Sequence, residues 1–182
     1  MTAMTEEQRQ IRDLARQFAE SELRPHVERW DRERALDAAV LEQVAELGFF
    51  GMLVPEMYGG MEFDLATYLV ALEELAWGEP GVALTVSIHS AFAVGLLLRH
   101  GTEEQKRQWL ERLATGDVLG CFAMSEAEAG SDAAAVAATA IRDGHGWVLN
   151  GDKKWVTNGR RAGLALVVAR TESGEGSAGG GA

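Results

Sequence analysis

The chain has 182 residues, 47% of them hydrophobic, and 17 basic against 28 acidic side chains give a net charge of −11. This length suits one or two domains, and this apolar content is enough for a packed core. So negative a field repels phosphate backbones and argues against a nucleic-acid partner; the single cysteine, Cys121, excludes an internal disulfide and suits a reducing, cytoplasmic compartment.

The N-terminal stretch has no apolar run suited to a signal peptide and too many acids for a transit peptide. Thr5, Glu6, Glu7 and Gln8 form a capping-box pattern. Ile11, Leu14, Phe18 and Leu23 follow at helical spacing, until Pro25 kinks or ends that helix. Seven arginines between positions 9 and 34 alternate with acids, which reads as a solvated helix face rather than a basic docking patch. A second helix carries Val40, Leu41, Val44 and Leu47, with Gly48 as its C-cap. Residues 49–60, FFGMLVPEMYGG, form a loop. Asp64 caps a third helix with Leu65, Tyr68, Leu69, Leu72 and Leu75 on one face and Glu73 and Glu74 at its surface. The apolar run 82–98 carries Thr85, Ser87, His89 and Ser90 and is short for a membrane span, so it reads as a buried helix, ending at Gly101. Thr102 opens a fifth helix with the same Thr-x-x-Gln spacing, and Gly116 closes it.

After Asp117 the period changes. Residues 118–124, VLGCFAM, read as a strand. Residues 133–159 alternate short β-like runs with turn pairs at Asp143-Gly144 and Asn150-Gly151, the second a strong hairpin signal. Residues 164–170 add one more strand. Helices first and strands after predict an α+β chain: an all-helical domain over 1–116, then an incomplete antiparallel, barrel-like β domain over 117–170, then a flexible Gly-rich tail over 171–182. Gly174, Gly176 and Gly179 spell G-x-G-x-x-G, but no helix or further strand follows, so a dinucleotide fold is not expected. About four or five strands are too few to close a barrel, which leaves an apolar face and an unpaired edge. The chain therefore reads as the front part of a larger protein, or as one that needs a partner.

Candidate chemistry concentrates in residues 121–132, CFAMSEAEAGSD. Apolar Phe122 and Met124 lead into polar Ser125 and Glu126, then small residues, then Gly130, Ser131 and Asp132. Taken singly, Ser125 and Thr157 satisfy local backbone groups, Trp155 packs on a hairpin, and the Gly-Ser-Asp stretch makes a turn or cap. Cys121 has no histidine near it in sequence and is not read as a nucleophile. His26, His89, His100 and His145 show no metal spacing, and His89 reads as a satisfied core histidine.

Five stretches in order carry a resemblance: VPEMYGG (54–60), ALEELAW (71–77), HGTEEQKRQWLERLATGD (100–117), AMSEAEAGSDAAA (123–135) and LNGDKKWVTNG (149–159). Together they resemble the acyl-coenzyme A dehydrogenases, flavoproteins that desaturate acyl thioesters. The resemblance implies a helical N-terminal domain, a β middle domain and a C-terminal four-helix bundle, of which only the first and part of the second are present. The family's catalytic glutamate belongs to the bundle, so no catalytic residue is assigned. Glu126-Ala127 departs from the family's usual Glu-Pro, which loosens the turn.

The resemblance also implies FAD as cofactor. Phe122 and Met124 would flank its ring, and Ser125 would aim a hydroxyl or N–H at the N1/O2 edge. Trp155 and Val156 would lie in the segment beside the ring, with Thr157 near N5. Gly130 would let the backbone approach, and Ser131 would sit where cofactor and acyl-thioester tail meet. Ser87 falls in the helix that lines the acyl pocket in relatives. The complete enzyme would oxidise a saturated acyl-CoA to the trans-2-enoyl form, pass electrons to an electron-transferring flavoprotein and assemble as a homotetramer, with no membrane span. Two alternatives stay open: an oxidase or monooxygenase of the same fold, and a truncated product that is inert or only binds.

Overall fold

The computed structural model describes residues 4–171. The glycine-rich residues 172–182, with the G-x-G-x-x-G spelling, lie outside the described residues.

Helix α1 (Glu6–Phe18) opens on the expected capping box. Thr5 Oγ1 accepts from the Gln8 N–H, and Gln8 Oε1 accepts from the Thr5 N–H, both at 3.1 Å. The helix buries Ala15 and Phe18, then widens into a π turn (Ala19–Leu23) and tightens into a 3₁₀ turn (Arg24–His26) before α2 (Val27–Glu33). Pro25 has no N–H to give, so the helix rewinds around it rather than stopping. Helix α3 (Ala38–Glu46) buries Val40 and Val44. Gly48 follows at φ +78°, the left-handed conformation that suits a residue without Cβ.

Helix α4 (Leu65–Gly78) starts where the Asp64 carboxylate accepts from the Thr67 N–H at 2.7 Å. Its buried stripe is Thr67, Tyr68, Ala71, Glu74, Leu75 and Gly78, while Leu65 and Leu69 are 61% and 50% exposed. The expected face is thus rotated. The small residues Ala71 and Gly78 turn toward the core instead, and Gly78 lies against Ala19 and Leu23. Glu74 is likewise not a surface residue. It is buried and paired with Arg16 at 2.5 Å, and the Arg16 guanidinium lies 3.9 Å from the centre of the Trp77 ring.

One continuous helix of 21 residues, Pro80–His100, forms the spine of the chain. It comprises α5 (Pro80–Ser87), a π-helical stretch (Ile88–Val94) and α6 (Gly95–His100). By length and composition it could cross a membrane, so shortness does not exclude a span as the sequence suggested. Half of its most apolar window is nonetheless buried in the fold, including Val82, Val86, His89 and Val94. Helix α7 (Glu103–Ala114) repeats the capping box at Thr102 and Gln105 and buries Leu110 and Leu113 completely.

The β region holds five short strands among the described residues. β1 (Gly120–Ala123) pairs with β4 (Leu164–Val167), with Gly120 opposite Leu164. β2 (Thr139–Asp143) and β3 (Gly146–Asn150) form an antiparallel hairpin, and β2 also pairs with β5 (Arg170–Thr171). The pairings β1–β4 and β2–β5 are parallel, so the all-antiparallel expectation does not hold. Long excursions separate these partners in sequence, and a long crossover is what parallel pairing needs. The Asp143-Gly144 turn forms as expected, with Gly144 at φ +56°. Asn150-Gly151 instead ends β3 without a return strand, because the chain leaves the sheet and runs beside β1. Ile141, Trp147, Val148 and Leu149 stand exposed on the hairpin, the uncovered apolar surface that an open sheet implies.

Candidate functional site

Two chain segments lie side by side where the helices meet the sheet. The first is β1 and its extension through Glu126; the second runs from Lys153 to Asn158. Their contacts run in opposite directions. Asn158 Nδ2 donates to the Gly120 carbonyl at 3.1 Å, and the Lys154 N–H donates to the Ser125 carbonyl at 2.8 Å. Lys153 Nζ donates to the Met124 carbonyl at 2.9 Å and to Glu126 Oε1 at 2.7 Å. Ser125 and Thr157 therefore belong to one two-segment wall.

Glu126 is the anchor at one end of this wall. Besides Lys153, its carboxylate accepts the Ala137 N–H at 2.7 Å and the Ala138 N–H at 2.9 Å. The Lys153 ammonium first, then the two N–H groups, hold the carboxyl at about 2, well below its usual range. An acid so far stabilised as its anion is a poor proton acceptor near neutrality, so Glu126 is a strut and not a base.

The second segment is a sequence of tight turns, not the hairpin strand the alternation suggested. Thr157 N–H reaches back to the Trp155 carbonyl at 3.1 Å, and Gly159 N–H to the Val156 carbonyl at 3.0 Å. Trp155 has φ +58° and Asn158 φ +67°. The left-handed region is costly for a bulky side chain, and Trp155 is 91% exposed, so no packing compensates for it. Val156, Thr157, Met124 and Ser125 are half-buried. Among the described residues, the hydroxyls of Ser125 and Thr157 and the N–H groups of Ser125, Trp155 and Val156 donate to no protein acceptor. Phe122 stacks on Phe92, ring centres 4.9 Å apart and planes inclined by 14°.

Gly130 and Ser131 do not join the wall. Both are exposed, neither hydrogen-bonds to either segment, and a Cβ at Gly130 would meet only open space. Asp132 does act as a cap, accepting from the Ala134 N–H at 3.1 Å. Cys121 is a buried free thiol whose pKa is pushed up by burial, the opposite of a nucleophile's tuning. Among the described residues no three His, Cys, Asp or Glu side chains gather to hold a metal.

His89 is fully buried and bonded on both ring nitrogens, as a core histidine should be. The Gly120 N–H donates to Nδ1 at 3.0 Å, so Nε2 carries the proton and donates to the Leu113 carbonyl at 3.1 Å. Burial holds its pKa down to about 4. Glu126, Lys153 and Asn158 stand within the sequence motifs without an expected role. The signal available was their chemistry: an acid, a base and an amide close to the two segments that need pinning.

Helices packed against a short-stranded β region, with a two-segment wall of unused donors beside an uncovered indole, make this an α+β protein. Residues 5–117 match the N-terminal domain of acyl-CoA dehydrogenases, and residues 121–181 match the middle domain. The chain belongs to the acyl-CoA dehydrogenase family. The mitochondrial short-chain specific acyl-CoA dehydrogenase of Bos taurus is 40% identical over 169 residues, which cover 93% of this chain and 41% of that protein. A solved structure of the electron transferring flavoprotein of Acidaminococcus fermentans superposes with a TM-score of 0.89 at 38% identity, covering 93% of this chain and 44% of that one. The glutaryl-CoA dehydrogenase of Mycobacterium smegmatis in complex with FADH2 does so with a TM-score of 0.88 at 37% identity, covering 94% of this chain and 44% of that one. The chain thus spans less than half the length of these relatives.

Proposed function

We propose that this chain is the helical portion, with part of the β portion, of an FAD-dependent acyl-CoA dehydrogenase. The observation that carries the reading is the wall itself: Ser125 and Thr157 on two segments bonded to each other, with free donors and an exposed aromatic at their edge. A flavin ring has flat apolar faces and a polar rim, and this donor set fits it. Trp155 and Val156 would pack beside the ring, and Phe122 and Met124 would back it. Ser125 would donate at the N1/O2 edge and Thr157 near N5. When bound, the flavin supplies the hydride acceptor for oxidation of a saturated acyl thioester to its trans-2-enoyl form.

The chain's own residues hold and orient. Preorganised donors stabilise negative charge where it gathers without having to reorganise. The Lys153–Glu126 strut keeps Ser125 in register with Lys154. Neither titratable group engaged at the wall suits removal of a substrate α-proton. Glu126 is locked as a paired anion, and His89 is enclosed with both nitrogens engaged. The family resemblance assigns that step to a glutamate outside this chain.

The same reading takes acyl-CoA as substrate, an electron-transferring flavoprotein as electron acceptor, a homotetramer as the assembly and the cytoplasm as the location. Ser131 would lie where cofactor and thioester tail meet, with Gly130 beside it. The test is a fluorescence titration of the chain with FAD. Ser125→Ala and Thr157→Ala should each weaken binding by up to about tenfold, the size of one neutral hydrogen bond. Equal affinity in wild type and both variants would overturn the reading.

A further inference from the structure

The backbone of Gly120 is gripped on both sides. Its N–H is held by His89 from the π-helical stretch, and its carbonyl by Asn158 from the second wall segment. The second proton of the same Asn158 amide bonds the Thr85 carbonyl in α5, also at 3.1 Å. One side chain thus joins three elements: the long helix, β1 and the loop that carries Trp155 and Thr157. No larger residue could stand at the centre, because a Cβ on Gly120 would collide with Ala93. Asn158 reaches both carbonyls from a left-handed backbone, which asparagine tolerates better than most residues.

We propose that Asn158 is a positioning residue, and that the Gly120 joint sets the wall at a fixed height on the helical domain. Without the joint, the Trp155–Thr157 loop is held at its Lys153–Lys154 end and, on the other side, only beyond the turn, where Arg161 bonds the Leu36 carbonyl and the Gly163 N–H bonds Leu119. Its free donors would then no longer keep a fixed distance from Ser125. The part of this inference that concerns cofactor binding rests on the flavin reading above; the joint itself does not.

Asn158→Gly tests it, since glycine keeps the left-handed turn and removes only the amide. The isosteric Asn158→Asp provides the second variant, because it aims a carboxylate at two carbonyl oxygens. Hydrogen exchange of the full chain without ligand reads the joint directly. Losing two hydrogen bonds should speed exchange in residues 119–124 and 153–159 by about ten- to hundredfold, with α1 and α4 unchanged. FAD affinity should fall by at least about tenfold in both variants. Unchanged exchange in those two segments would overturn the joint, and so would an equal rise over α1 and α4, which marks general destabilisation. If wild type takes up no FAD but the local exchange result holds, the joint stands and the flavin reading falls.

Discussion

Thr157 carries the sharpest functional expectation of any single residue. In the complete enzyme, Thr157→Ala should slow flavin reduction more than it weakens acyl-CoA binding, as rapid-mixing kinetics would record. A change in binding alone would mean that the hydroxyl serves the substrate instead. Trp155 separates function from stability in another way. A bulky residue at φ +58° with an uncovered ring stores about 1 kcal/mol of backbone strain. Trp155→Gly should leave the thermal midpoint unchanged or slightly higher while FAD affinity drops. A lower midpoint would mean that the indole packs usefully after all. His89 gives a pH signature. Its folded pKa of about 4 lies below the ordinary value of 6.5. The unfolded chain therefore binds a proton first, and stability present above pH 6.5 is lost as pH falls toward 4. The loss is no more than about 3 kcal/mol. Urea unfolding at pH 7 and pH 5 should reveal it, and His89→Gln should flatten this part of the slope.

At the scale of elements, the ends of helices are set by short-range chemistry. Thr5 and Thr102 both close full capping boxes. Thr102→Ala should cost about 1 kcal/mol, measured as a fall in the thermal midpoint. Such boxes were legible in the sequence because donor and acceptor sit three residues apart. The Gly48 end and the Asp64 cap were legible for the same reason, and Pro25 marked a break without showing that the helix would rewind through it. What escaped was decided between elements. The choice of Ala71 and Gly78 over Leu65 and Leu69 as the inward face of α4 depends on how closely α1 and the π turn approach. The parallel partner of β1 depends on where a loop beginning at Gly151 lands. At the site, Ser125 and Thr157 were legible from the motifs, but the Lys153–Glu126 strut and the Asn158 bridge were not. Their partners lie between 27 and 73 residues away along the chain.

For the whole molecule, the charge of −11 and the exposed Trp147, Val148 and Leu149 pull in different directions. Net charge keeps copies apart, whereas an open sheet edge invites pairing. With only about two fifths of a relative's length present, the chain alone should show no turnover with acyl-CoA and should bind FAD reversibly, strongly enough to titrate but too weakly to keep through purification. Measurable turnover, or a stoichiometric yellow protein, would contradict this. Serial titration of the complete protein with acyl-CoAs of increasing length, followed in the flavin spectrum, would then find the preferred chain.

The eight residues from Leu164 to Thr171 first accompany β1 and then, past Val168 and Ala169, accompany β2. The Val168 N–H bonds Ala123 and the Arg170 N–H bonds Ala138, so one ribbon sews two patches of cloth with a single thread. The two patches are coupled through that one thread. A protease nick between Ala169 and Arg170 should therefore part the two patches, loosening the hairpin while the β1–β4 pairing persists.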